Sequence, residues 1–201
     1  MAIYSACIYF SIEYLSENEG MEFLVQKGFS STFSSYMITL AWLGYAIGCP
    51  LLGFLSDLFQ RRKPIMFICG LSALLALTGI IYLPLGKILT AVSFVLLGIG
   101  ASGQSIGFAA MAEQCREDYL AVGLAFNNGM IMLFAAINAP LIGWILSMLA
   151  PTHPLSILTY QYGFLMMVGL VTVAILLSSL AIRETFCKSM RENTPLHPKE
   201  Y

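Results

Sequence analysis

Glu13 stands out in this sequence because it is an acid with apolar residues on both sides. Residues around it recur at three- and four-residue spacing, which places them on one face of a helix: Ser5, Tyr9, Glu13, Glu17 and Gly20. A carboxylate on such a face could bind a cationic group of a solute or carry a coupling proton, with Tyr9 beside it. An equally favoured alternative is that the helix ends early and leaves Glu13 in polar surroundings.

Other chemistry is poorly supported by the residue types present. The sequence has no nucleotide-binding loop, no nucleophile elbow and no cluster of metal-ligating residues, and its two histidines, His153 and His197, stand alone. We therefore expect no enzyme activity, no cofactor and no metal.

Composition indicates where such a helix would lie. Apolar residues make up 58% of the 201 residues and charged residues only 10%, whereas soluble domains carry about 25% charged residues. The net charge of −1, with no basic stripe, also argues against nucleic-acid binding. The composition predicts an integral membrane protein surrounded by a lipid bilayer.

Apolar runs separated by polar breaks predict six transmembrane helices. A helix needs about 20 residues to cross a bilayer. The predicted spans are 2–27, 32–56, 64–84, 88–110, 120–149 and 158–182. They form one membrane unit, 1–182, followed by a cytoplasmic tail, 183–201.

The basic residues divide unequally between the two sides that six spans create. If the connection 57–63 is cytoplasmic, that side holds eight of the ten lysines and arginines: Arg61, Arg62, Lys63, Arg116, Arg183, Lys188, Arg191 and Lys199. The other side holds Lys27 and Lys87. Cytoplasmic loops carry such an excess. The split predicts two cytoplasmic termini and an even number of spans. If the source is bacterial, the expected location is the cell (inner) membrane.

An internal repeat relates the second and fifth spans. Residues 46–53 and 136–143 are identical at five of eight positions, and the two spans cross the membrane in opposite directions. Three-plus-three inverted repeats are typical of secondary transporters. Pro50 and Pro140 occupy equivalent positions and are predicted to kink their helices. The alternative is a chance recurrence of Pro-Leu-x-Gly among apolar residues.

The connection after the second span, 53–64, carries the most specific motif. Five of its residues match a G-x-L-x-D-x-x-G-R-R/K pattern: Gly53, Leu55, Asp57, Arg61 and Arg62. This pattern resembles the signature of the major facilitator superfamily, although Gln60 replaces the second glycine. Arg183-Glu184-Thr185 resembles the exit from a twelfth span, and the acidic break 17–22 resembles an interrupted seventh span.

The resemblance implies an all-α membrane protein whose six transmembrane helices form a 3+3 inverted repeat, the C-terminal half of a major facilitator fold. It further implies that Asp57 pairs with Arg61 and meets the helix that begins near Leu120, so that the contact forms and breaks as a gate. Arg62 and Lys63 would then be positive-inside anchors. The alternative is that the whole motif is such an anchor.

The resemblance also implies that the first and fourth spans line a central cavity. Gln104 would then face a solute, to which its amide can both donate and accept hydrogen bonds.

The sequence thus favours transport of a small polar solute by alternating access, as symport or antiport, with a proton as one candidate coupling ion. An overall likeness to dipeptide-type members points to amino acids or dipeptides. Because six spans supply one wall of the cavity, the chain would need a second six-span half or a copy of itself. The alternative is a fragment or membrane scaffold without transport of its own.

Overall fold

The computed structural model describes residues 1–150 and 156–189. Across these residues all the regular structure is helical. The α-helices are α1 (Ala2–Glu17), α2 (Gly20–Gln26), α3 (Ser31–Phe59), α4 (Lys63–Tyr82), α5 (Lys87–Ala101), α6 (Gly103–Gln114), α7 (Leu120–Leu149), α8 (Ile157–Gly163) and α9 (Leu165–Leu176). A 3-10 turn (Glu117–Tyr119) precedes α7, and a π-helical turn (Leu177–Ala181) follows α9.

Five segments are long and apolar enough to cross a membrane. They are Ser31–Phe59, Lys63–Tyr82, Lys87–Gln114, Glu117–Leu149 and Ile157–Ala181. Their limits lie within a few residues of the predicted spans 32–56, 64–84, 88–110, 120–149 and 158–182. The predicted connection 151–154 and the tail residues 190–201, with Arg191 and Lys199, lie outside the described residues.

The first predicted span, 2–27, is divided into α1 and α2. The 16 residues of α1 give a length of about 24 Å, short of the 30 Å hydrocarbon core. The helix ends at Glu17, within the acidic stretch, and Asn18 caps it. Gly20 then lies so close to the backbone of Leu15 that a side chain would clash. The count of six spans and the inverted repeat therefore remain predictions.

Helix α1 is the central element of the bundle, packing against α5, α6, α7 and α9. Its aromatic residues make edge-to-face contacts with neighbours on two helices: Phe10 with Phe134 of α7, and Tyr14 with Phe164 at the start of α9. These rings are large buried apolar surfaces that fix α1 between its neighbours.

Helices α3 and α5 approach each other through glycines. A side chain at Gly44 or Gly98 would collide with the backbone of the opposite helix, and one at Gly48 would collide with Ser102. Small residues allow this close packing in membranes. Gly53 has open space around it, so the close-packed face of α3 ends at Gly48.

The two helices that the predicted repeat makes equivalent, α3 and α7, share several features. Each contains its proline internally, Pro50 or Pro140. Each is only 22% buried over its apolar window, which leaves most of its apolar surface facing outward. The repeat and the proline kinks both stay predictions.

Candidate functional site

One end of the bundle holds a group of charged and polar residues that we call the charge cluster: Asp57, Arg62, Glu113, Glu184 and Thr185. They come from the end of α3, the start of α4, the end of α6 and the segment after the last helical turn. Four separate parts of the chain therefore meet at this end of the bundle.

Arg62 is the centre of the charge cluster. Its side chain is only 9% exposed and its Nη1 lies 2.7 Å from Asp57 Oδ1. Its Nη2 and Nε donate to Glu113 Oε1 at 2.6 and 3.0 Å, and Thr185 Oγ1 donates to the other oxygen of Glu113. Burial alone would lower the pKa of Arg62, but the hydrogen bonds and charge of Glu113, with the charge of Asp57, outweigh it and raise the pKa.

Glu184 holds the N-terminus of α4. Its two carboxylate oxygens accept hydrogen bonds from the backbone N–H groups of Arg62 and Lys63 at 2.8 and 3.1 Å. The first N–H groups of a helix lack partners within it, and the helix dipole favours a negative charge there. The segment after the last helix is thereby fastened to α4.

The pairing of Asp57 differs from the predicted one. Asp57 binds Arg62, whereas Arg61 is exposed and its guanidinium lies 5.8 Å from the ring centre of Phe186. Arg62 is thus more than the anchor that the sequence predicted. Among the described residues no hydrogen bond or ion pair joins Asp57 to α7 either; its side chain is 64% exposed and faces outward.

The turn between α3 and α4 explains this exchange of partners. Gln60 takes a left-handed conformation, with φ 50° and ψ 38°, and the N–H of Arg61 donates to the carbonyl of Ser56. Glycine adopts this conformation without steric cost. The turn forms without the motif's second glycine, and it directs Arg62 inward.

A second group of interest lies on α1 and α3, and we call it the aromatic platform: Tyr9, Trp42 and Tyr45. The hydroxyl of Tyr45 donates to Gln104 Oε1, so two predicted site residues, Tyr9 and Gln104, belong to one connected group. Glu13, one turn after Tyr9, has a buried Oε2 with no hydrogen-bond partner among the described residues.

Sequence reasoning missed Glu113, Trp42 and Tyr45. None of the three is among the predicted site residues. The three-residue spacing of Trp42 and Tyr45, which puts them on one face of α3, is the signal that could have found them.

The sequence model described as Major Facilitator Superfamily matches residues 1–195. The chain belongs to the Major Facilitator Superfamily. Neither the comparison with curated proteins nor that with solved structures gave a match.

Major facilitator proteins are membrane transporters rather than enzymes, and this agrees with the prediction of no enzyme activity. The family and the five apolar segments together indicate an integral membrane protein that functions in transport of small molecules.

Proposed function

We propose that the chain is the C-terminal six-span half of a major facilitator secondary transporter, and that it moves a small polar solute by alternating access. Residues 1–182 would form the membrane unit and 183–201 a cytoplasmic tail, with α1 and α2 together as an interrupted first span. Both termini would then be cytoplasmic.

The observation that carries this proposal is the polar face of α1. Placing a charged side chain at the centre of the bilayer costs at least about 2.5 kcal/mol, so a charged residue there is expected to have a function. Among the residues that the structure describes, none hydrogen-bonds one carboxylate oxygen of Glu13, which lies within an apolar helix beside the platform that links Tyr9 through Tyr45 to Gln104. A small polar solute in a central cavity would satisfy these groups.

The charge cluster supports the second element of the proposal, a gate. Arg62 and Glu113 hold one another in the interior, while Asp57 is tied to Arg62 and exposed. Asp57 is therefore placed to contact a second six-span unit, where its contact could break and re-form as access alternates.

Two measurements test the proposal. Cysteines placed at Ser30 and Glu117 should be labelled from opposite sides of the membrane by an impermeant maleimide. Labelling of both from the same side would overturn the fold. Uptake of radiolabelled alanine and dialanine into liposomes, with and without a co-expressed second half, tests transport itself.

Asp57→Asn tests the gate in the same uptake measurement. Losing the charge should weaken an exposed contact by about 1 kcal/mol and slow transport roughly fivefold, at unchanged amounts in the membrane. Lys63→Gln is the matched control, because the backbone N–H of Lys63, and not its side chain, is the group that Glu184 holds. Equal rates in both variants would refute the gate.

The scaffold alternative rests on the same six helices, which supply only one wall of a cavity. A neighbouring reading frame that encodes six more spans, or a self-dimer in detergent, would favour the transporter. A stable monomer with no such partner and no uptake would favour the scaffold.

A further inference from the structure

Three aromatic side chains meet where α1 crosses α3. The ring centroids of Tyr9 and Trp42 are 6.2 Å apart, those of Tyr9 and Tyr45 5.9 Å, and those of Trp42 and Tyr45 5.7 Å. All three pairs are edge-to-face, with interplanar angles of 63° to 75°. All three side chains are half-buried, so part of each remains accessible.

Residues of α6 and α3 hold the aromatic platform in position. Gln104, buried on α6, accepts the hydroxyl hydrogen of Tyr45 and thereby fixes that ring. Gly44 and Gly48, which flank Tyr45, allow α3 to lie directly against the α5–α6 segment. A ring that is already immobilised loses little entropy when a ligand binds to it.

Glu13 supplies a carboxyl group beside the platform. It lies one turn from Tyr9 on α1, and Glu17 follows one more turn along the same helix. Its Oε2 is buried and unpartnered, and the ion pairs found among the described residues do not include Glu13. An aromatic ring presents a negative face, and a positive charge is attracted to it within about 6 Å of the centroid.

We propose that the aromatic platform and Glu13 form a subsite for the positively charged nitrogen of an organic solute, an alkylammonium group. This inference rests on the proposed transport function and names its substrate class. A group that only carried a proton would need the carboxylate but would gain nothing from three ordered rings. The combination is therefore best explained by an organic cation.

Tryptophan fluorescence gives a binding measurement that does not depend on transport. The chain has two tryptophans, so Trp144→Phe leaves Trp42 as the only reporter. The full chain in lipid nanodiscs would be titrated with choline and with propylammonium. The neutral probe is 3,3-dimethyl-1-butanol, which has the shape of choline without its charge.

We expect at least one charged probe to change Trp42 fluorescence at a concentration about tenfold below that of the neutral alcohol. Glu13→Gln and Tyr9→Leu should each weaken that binding about tenfold. The matched control, Glu17→Gln on the same face, should stay within about threefold. Tyr9→Phe, which retains the ring, should lose less binding than Tyr9→Leu. Monodisperse elution of every variant shows that it is folded.

Equal affinity for charged and neutral probes, or full binding by Glu13→Gln and Tyr9→Leu, would overturn the cation subsite. That failure would leave the proposed function standing if a neutral solute were still transported. Binding of a cation without uptake of any solute would instead support the subsite and count against transport.

Discussion

The two ends of α4 are held by opposite kinds of contact. At the N-terminus, the carboxylate of Glu184 accepts hydrogen bonds from two backbone N–H groups, next to the buried pair of Arg62 and Glu113. At the C-terminus, Lys27 Nζ donates to the carbonyl oxygens of Ile80 and Leu83 at 2.5 and 2.9 Å. Each charge has the sign that complements the helix dipole at its end.

The two ends of α4 differ in the groups that contact them. At the C-terminal end a single cation is bound to neutral carbonyls, and Gln161 adds one more hydrogen bond, to Ile81. At the N-terminal end several charged side chains contact one another, so that replacing any one of them changes the interactions of the others. The C-terminal contacts hold α4 in place, and the charge cluster is the region that the proposed gate would rearrange.

The largest expected effect comes from removing Glu113. Among the described residues, Glu113→Ala leaves the buried guanidinium of Arg62 with Asp57 and Ser56 as partners. It should lower the free energy of unfolding by about 3 kcal/mol. Thermal unfolding in detergent measures the loss. Arg116→Ala, which breaks an ion pair whose side chains are 68% and 75% exposed, is the control and should change little.

A paired replacement sharpens the same measurement. Apolar residues of similar volume often replace a buried ion pair at little cost. Arg62→Met combined with Glu113→Met should therefore recover most of the stability that Glu113→Ala loses. In this double variant, Asp57→Asn should no longer slow transport. If the double variant is less stable than the single one, the charge cluster is required for the fold rather than for switching.

The sequence was informative about elements and less so about partners. Apolar runs located the five membrane-length segments to within a few residues, and the acids after Glu13 indicated the break between α1 and α2. The sequence could not indicate whether Asp57 pairs with Arg61 or with Arg62. Adjacent residues point in different directions, and the left-handed conformation of Gln60 changes the direction of the residues that follow it. Glu113 is 51 positions from Arg62, and no local pattern signals a contact at that distance.

An intermediate effect is expected at the other end of α4. Lys27→Met keeps the apolar stem but removes the donor to the carbonyls of Ile80 and Leu83, which should cost about 1–2 kcal/mol of stability. The transport rate per folded molecule should not change. Lys87→Met, at an exposed position beginning α5, is the control. A fall in transport rate at full stability would show that this end also switches.

The smallest expected effect concerns the turn that leads into the charge cluster. A non-glycine residue in the left-handed region costs about 1–2 kcal/mol, partly offset by the greater entropy that glycine loses on folding. Gln60→Gly should therefore raise stability by about 0.5–1 kcal/mol. Leu83, which ends α4, has an extended backbone with φ −95°, so Leu83→Gly is the comparison and should be destabilising. Unfolding temperatures of the two variants test whether strain is confined to the charged end. Stabilisation by both glycines, or by neither, would contradict that assignment.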